Sequence, residues 1–262
     1  MYQYFVNLYY RYIKGWGFFG DYKTWQSAVA DCEGYDAEPI LESVLTAARA
    51  VKNGNAIFER DGFLFHEKVE IEQLIFGLNH IVDKYARLSI LDFGGSLASL
   101  YHQHSDFLSQ FPNVKWCVVE QPHFVDIGKK EFETETLKFE YTIAEAVKKY
   151  QPNVVVMSSV LQYLEDPYTW IDEIVKQEIP YLWIDRTPFS HRKKDWILKQ
   201  IVDPRVYKAT YPVSILSLPK FLNYINQHYH LVAEFTSLDK FNQLECTFLG
   251  FFCELKKIDN SK

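Results

Sequence analysis

Leu91-Asp92-Phe93-Gly94-Gly95-Ser96 closes a short apolar run that starts at Ser89 and leads into a helical stretch near Ser99–Gln110. Adjacent glycines after a strand-ending aspartate let backbone N–H groups approach a ligand that a Cβ would hold away. A nucleotide is the natural occupant of such a turn. The next apolar run ends in Val118-Val119-Glu120, which sets a carboxylate 28 residues after Asp92, at the neighbouring strand end. There it can accept hydrogen bonds from ribose hydroxyls. A glycine turn alone often serves only geometry; the acidic strand end turns the reading toward a ligand.

Outward from this loop, short apolar runs alternate with helical stretches, the pattern of βαβ units and a mostly parallel sheet. Strands are expected at Ser89–Asp92, Lys115–Glu120, Lys138–Tyr141, Asn153–Ser158 and Tyr181–Asp185. Val154-Val155-Val156-Met157 is continuously apolar, as a central strand covered on both faces should be. Helices are expected near Ile143–Tyr150, Thr169–Gln177 and Ser217–Gln227. Two final strands, Leu231–Ser237 and Cys246–Leu255, lie close enough to form a hairpin. The expectation is an α/β, Rossmann-like fold with a seven-stranded, mostly parallel sheet and a C-terminal antiparallel hairpin. Upstream, Leu41, Val44, Leu45, Ala48 and Val51 mark an amphipathic helix over Glu38–Lys52. A second stripe, Ile71 to Tyr85, marks another over Glu67–Tyr85. The division expected is a helical and aromatic cap over residues 1–87, a nucleotide-binding domain over 88–258 and a polar tail over 259–262.

The 262 residues are 48% hydrophobic and 24% charged, enough for a core without disulfides or metals. A net charge of −6 argues against a nucleic-acid backbone as partner. The four cysteines show no CxxC pair and no zinc-site spacing, so no metal is expected. On one uninterrupted strand Cys246 and Cys253 would face opposite sides of the sheet. The N-terminus lacks the features of a signal peptide and no run approaches a membrane span, which places the protein in the cytoplasm. Aromatic residues reach 17%, and the tyrosines crowd the first 25 positions. They either line a pocket, as a lid would, or pack the outside of the sheet.

Dinucleotide folds use G-x-G-x-x-G against a pyrophosphate, whereas Gly94-Gly95 is followed by Ser96, Leu97, Ala98 and Ser99. That disfavours a nicotinamide oxidoreductase and favours S-adenosylmethionine (SAM), which has no pyrophosphate. Further signals are Trp16-Gly17-Phe18 with Tyr22 and Trp25, Gly34-Tyr35-Asp36, Glu59-Arg60-Asp61, Trp116 and Ser158-Ser159-Val160-Leu161-Gln162-Tyr163-Leu164. Asp185-Arg186-Thr187-Pro188-Phe189 and Tyr211-Pro212 complete them. With these the chain resembles class I SAM-dependent methyltransferases, and more closely bacterial methyltransferases associated with surface-polysaccharide (capsule and lipopolysaccharide) genes. It departs from the broad class pattern at Ser96, in place of the third glycine, and at Ala98, at a later small position. The resemblance implies O-methylation of a small anionic or sugar-containing acceptor, such as a nucleotide sugar or phosphorylated metabolite, with S-adenosylhomocysteine (SAH) as product. The competing reading is a binding or scaffold protein of the same fold without turnover.

In an open α/β sheet the ligand lies beyond the carboxyl ends of the strands. The cofactor is therefore expected to touch Asp92, Gly94, Gly95, Ser96, Tyr101, Glu120 and Gln121. Thr142, Ile143, Ser158, Ser159 and Gln162 follow the later strands and join that set. Asp185, His191 and Arg186 are the catalytic candidates, the first two as general base; His102 and His104 are weaker ones. Trp16, Tyr22, Arg60, Tyr163 and Arg186 are expected on the acceptor. Residues 185–208 hold seven Lys/Arg against three Asp. This basic stretch either attracts an anionic acceptor, with Arg186 forking a phosphate, or is in part the solvated start of a helix at Arg192-Lys193-Lys194.

Overall fold

The computed structural model describes residues 9–10, 14–33, 38–205, 208–237, 239 and 245–256. Gly34-Tyr35-Asp36, the first tyrosines and the polar tail lie outside the described residues. Strand β4 (Leu88–Phe93), which carries the glycine loop, is buried along its whole length. It pairs in parallel with β5 (Val114–Val119) on one side and β7 (Val154–Ser158) on the other. β6 (Leu137–Glu140) continues beyond β5, and β8 (Tyr181–Ser190) beyond β7, again in parallel. β12 (Cys246–Leu255) then runs antiparallel to β8, with β11 (Tyr229–Thr236) antiparallel to it.

These strands have residues of alternating destination, as the period of 2 requires. Ile90, Trp116, Val118, Val156 and Trp183 enter one core, beneath α2 (Glu38–Lys52) and α3 (Glu72–Tyr85). Leu91, Cys117, Val119, Val155 and Ile184 enter the other, beneath α7 (Ile143–Tyr150), α8 (Pro167–Lys176) and α9 (Leu218–His228). Between β4 and β5 lie α4 (Ser99–Gln103) and α5 (Ser105–Leu108), not one helix to Gln110. α6 (Pro122–Ile127) follows β5, and α1 (Trp25–Val29) lies near the start of the chain. α3 starts at Glu72 rather than Glu67; the Ile71 N–H just before it donates to His104 Nε2 at 3.0 Å.

Among the described residues the sheet has ten strands, not the seven expected. β8 outruns β7: their pairing ends at Ser158 and Asp185, while β8 continues to Ser190. Against this overhang, on the edge that β12 leaves free, β10 (Thr210–Ser217) pairs in parallel through Leu216 and Ser217. β9 (Trp196–Ile201) adds antiparallel to β10, and β1 (Gly17–Tyr22) antiparallel to β9. The aromatic N-terminal segment is thus in part a strand. Residues 192–194 form a turn leading to β9, not a helix start. The three added strands stand beyond the carboxyl end of β7, where an α/β sheet binds its ligand. A separate hairpin, β2 (Phe58–Arg60) with β3 (Phe63–Phe65), packs near α4 and α2.

Cys32, Cys117, Cys246 and Cys253 are free thiols. β12 has a register irregularity between Leu249 and Phe251, so it is not the uninterrupted strand on which the two cysteines would simply face apart. Among the described residues no helix is long and apolar enough to cross a membrane, and no cluster of three His, Cys, Asp or Glu is placed to hold a metal.

Candidate functional site: two cavities divided by the glycine loop

Gly94 has φ +74°, and a Cβ there would stand 2.6 Å from Val160 Cγ2. At Gly95 a Cβ would run into the Asp92 carboxylate. The loop therefore needs its two glycines, one for conformation and one for close approach. Ser96 and Ala98 adopt φ of 54° and 72°, the left-handed region that side chains disfavour. The backbone keeps a glycine-like path at both departures.

On one side of this loop lies a cavity of about 350 Å³. Asp92, Gly94, Gly95, Ser96, Ser158, Ser159 and Gln162 line it, together with Trp16, Arg60, Tyr163 and Arg186. On the other side a cavity of about 810 Å³ is lined by Glu120, Gln121, Thr142, Ile143, Val160 and Trp170 among others. Gly94, Ser159 and Tyr163 border both. One extended ligand lying over the Gly94–Ser159 ridge would occupy the two together.

The Glu120 carboxylate is held at the ridge by two backbone donors, Gln121 N at 2.8 Å and Ser96 N at 3.4 Å. Burial nevertheless raises its pKa above the ordinary carboxylate value. Asp92 is fully buried and accepts a hydrogen bond from Trp116 Nε1 at 3.0 Å. Desolvation, against that bond, pushes its carboxyl up to about 7. Thr142 caps α7 by accepting from Glu145 N at 3.2 Å, so its hydroxyl is engaged within the helix end.

The floor of the first cavity is a gap in the sheet. Between the β7 pairing, which stops at Asp185, and the β10 pairing, which starts at Phe189, that edge of β8 carries Arg186, Thr187 and Pro188 without a strand partner. Arg186 has φ 51° there, and its carbonyl accepts from Gln162 Nε2 at 3.2 Å. That amide also donates to Ser159 Oγ at 3.0 Å, which leaves Gln162 Oε1 without a partner, as is Ser158 Oγ. Buried polar atoms are normally satisfied; these two are buried without a partner, on residues that line the cavity. Asp61, Ser96, Ser159 and Arg186, four residues lining this cavity, are non-glycines with positive φ. Backbone strain of this kind clusters where function holds it in place.

Several sequence expectations are corrected by the coordinates. Tyr101 borders neither cavity; its hydroxyl shares a hydrogen with Thr136 Oγ1 at 2.7 Å and its ring packs on Trp116. Tyr22 lies outside as well, donating to Asp31 Oδ2 at 2.5 Å. His191 is exposed on the turn after β8 and does not line the cavity. Asp185 is buried beside it, its Oδ1 accepting from Arg186 N at 2.7 Å and Ser237 Oγ at 2.5 Å. It shapes the wall instead of facing the cavity. His104 bonds Leu100 O and Ile71 N through its two ring nitrogens, a structural role. His102 is absent from the lining, and burial pushes its pKa down to about 4.

The basic stretch is largely neutralised. Arg186 forks Asp239 at 3.0–3.2 Å, Arg192 pairs with Glu245 and lies over the Trp196 ring, Lys199 holds Asp31, and Arg205 pairs with Asp203. The sequence reading missed Ser99, Gln103, Gln200, Asp203, Tyr211 and Asp239 as lining residues. The β-prone run Trp196-Ile197-Leu198 was the available signal for the added strands that carry some of them.

Strand order β6-β5-β4-β7-β8-β12-β11 with a final antiparallel hairpin can be set beside solved structures. The N-terminal domain of EvdMO1, crystallised with SAH and D-fucose, superposes with a TM-score of 0.50. It is 10% identical and covers 84% of this chain and 100% of its own. The fold is that of Rossmann-like methyltransferases. Also similar are an S-adenosylmethionine-dependent methyltransferase from Clostridium acetobutylicum ATCC 824 (TM-score 0.46, 8% identity, 72% of this chain and 93% of that one) and the N-methyltransferase NodS from Bradyrhizobium japonicum WM9 with SAH (0.45, 12%, 84% and 100%). No family model and no curated protein matches the sequence. β1, β9 and β10 extend the same sheet beyond the carboxyl end of β7.

Proposed function

We propose that this protein is a SAM-dependent methyltransferase acting on a small acceptor in the smaller cavity. The carrying observation is the ridge of Gly94 and Ser159, which joins the larger cavity beside Glu120 to a second one lined by Ser158, Gln162, Arg60 and Arg186. The residues fit the cofactor. Ile143, Val160, Leu164 and Trp170 offer apolar walls for an adenine, Glu120 offers acceptors for ribose hydroxyls, and the loop at Gly94–Ser96 leads past Asp92 toward Gln162. When bound, SAM supplies a methyl carbon made electrophilic by its sulfonium.

The protein's part is alignment, exclusion of water and removal of the acceptor proton. The β1-β9-β10 layer closes the cavity through Trp16, Gln200 and Tyr211. Of the four carboxylates lining it, Asp239 is forked by Arg186, Asp203 is paired with Arg205 and Asp92 is buried under Trp116. Asp61, 60% exposed at its side chain and joined to Arg186 only by a long 3.8 Å ion pair with no hydrogen bond, is the carboxylate placed to take a proton. It replaces Asp185 and His191 in that role, while Arg186 and Tyr163 stay on the acceptor wall.

The finer reading is O-methylation of an anionic or sugar-containing acceptor, such as a nucleotide sugar, in capsule or lipopolysaccharide synthesis, in the cytoplasm. Its support is the sequence resemblance and the crystallisation of the EvdMO1 N-terminal domain in the presence of D-fucose. Calorimetry with SAH tests the cofactor: wild type binds, and Gly94→Val abolishes binding. Absence of wild-type binding, or unchanged affinity in Gly94→Val, overturns the proposal.

A further inference from the structure

Arg60 stands at the end of β2, beside the β2–β3 turn, and lines the smaller cavity. Its Nη2 donates to Gln103 Oε1 at 3.0 Å, and Gln103 is itself fixed by donating to Val69 O at 2.5 Å. The guanidinium carbon lies 5.8 Å from the Phe58 ring centroid and 5.9 Å from that of Phe65, two rings stacked at 4.5 Å. The cation is thus oriented by an amide and two aromatic rings. Among the described residues no carboxylate comes within ion-pair distance of it. Its sequence neighbour Asp61 has Arg186 as its ion-pair partner, at 3.8 Å.

Arg186 is the contrast. The same cavity holds both guanidinium groups, but Asp239 forks Arg186 and spends its charge within the protein. Burial first, and then the Arg186 charge, act against the protonated form of Arg60, while Asp239, Asp61 and Asp185 favour it from beyond ion-pair distance without outweighing them; an arginine nevertheless does not deprotonate in proteins. A partly buried cation with most of its N–H fork free and a second cation nearby is unfavourable unless an anion completes it.

We infer that Arg60, not Arg186, is the anion-binding residue of the cavity, and that it takes a carboxylate or phosphate group in its planar fork. Two ligands can bring that group: the amino-acid end of the cofactor or an anionic acceptor. The first source rests on the methyltransferase reading, whereas the binding of an anion at Arg60 does not.

The experiment compares wild type, Arg60→Met and Arg60→Lys with three probes. SAH carries the carboxylate; 5′-methylthioadenosine presents the same nucleoside without it; inorganic phosphate is titrated into protein with and without SAH, read by tryptophan fluorescence. If the cofactor carboxylate is the anion, Arg60→Met weakens SAH about 10- to 100-fold, Arg60→Lys weakens it less, and 5′-methylthioadenosine binds all three alike. If the acceptor brings it, SAH affinity is unchanged, but phosphate binds SAH-saturated wild type and not Arg60→Met. Equal binding of SAH and of phosphate by wild type and Arg60→Met overturns the inference and leaves Arg60 as a staple of the hairpin. Failure of wild type to bind either nucleoside defeats the cofactor reading instead; phosphate binding to the free protein, lost in Arg60→Met, then still decides for Arg60. Because 5′-methylthioadenosine needs the intact larger cavity, its binding also shows that the variants fold.

Discussion

The guanidinium of Arg186 and the carboxylate of Asp239 form a two-pronged pair across the smaller cavity, Nε and Nη2 each 3.0 Å from one of its oxygens. Asp239 follows β11 and Arg186 interrupts the pairing of β8, so the pair ties the connection after β11 to the open edge of the sheet. Their side chains are 18% and 27% exposed. Removing one partner of a buried pair costs about 3–5 kcal/mol, and partial hydration lowers this to about 1–3 kcal/mol. Asp239→Asn is expected to destabilise by that amount in urea unfolding. Adding Arg186→Met should recover part of the loss, because the stranded charge is gone. Full additivity in the double-mutant cycle would show that the pair contributes nothing.

Ser96 and Ala98 lie in the left-handed region with side chains that resist it. Relief of that strain is offset in part by the greater freedom of glycine in the unfolded chain. Ser96→Gly and Ala98→Gly should each stabilise by about 0.5–1 kcal/mol, measured as a rise in Tm, without loss of SAH affinity. Gly94→Ala goes the other way, since its Cβ meets Val160. A destabilising Ala98→Gly would mean that the buried methyl group outweighs the backbone term.

Much of this architecture is legible from the chain alone, and the reason lies in local chemistry. Ile143–Tyr150 and Cys246–Leu255 have the expected bounds, because a threonine cap starts one and an apolar run defines the other. The glycine loop and Glu120 follow from a turn and a strand end that are near in sequence. β1 and β9 are harder to read. Gly17 and Gly20 dilute one strand and Lys199 and Gln200 the other, and both are stabilised by pairing with partners far along the chain. Tyr22 and His191 follow from the same gap: each sits next to a strand whose direction pairing alone determines. The separation of Arg60 from Arg186 depends on Asp239, 53 residues beyond Arg186, which no local pattern announces.

Glu59 is 2% exposed and accepts from Gly62 N at 3.1 Å and from Ser99 Oγ, which fastens the β2–β3 turn to α4. Desolvation outweighs these bonds and pushes its carboxyl up from 4.5 to about 7. An acid with a raised folded pKa binds its proton more tightly in the folded state. Its contribution is complete below the unfolded value and is lost as pH rises through the folded one. Wild-type stability should therefore fall by about 2–3 kcal/mol relative to Glu59→Gln between pH 4.5 and 7.5. Parallel stability profiles of the two proteins across that window would remove Glu59 from this role. Asp92, whose carboxyl is also pushed up to about 7, acts equally in both and cancels in the comparison.

The two cavities should separate in mutant kinetics. Glu120 borders only the larger one, where two backbone N–H groups aim its carboxylate. Gln200 is on β9 in the wall of the smaller one, accepting from Tyr163 OH at 2.9 Å. Loss of charged hydrogen bonds to a ribose is worth about 1.5–3 kcal/mol, so Glu120→Ala is expected to weaken SAH about 10- to 100-fold by calorimetry. Gln200→Ala should leave SAH affinity within about 2-fold, because Gln200 itself lines only the smaller cavity. Methyl transfer from labelled SAM to a panel of nucleotide sugars and phosphorylated metabolites should nonetheless fall in Gln200→Ala through a higher acceptor KM. A Gln200→Ala variant that loses SAH binding would place β9 on the cofactor. The added β1-β9-β10 layer would then close over both ligands, and acceptor choice would have to reside in the β2–β3 hairpin and Arg60.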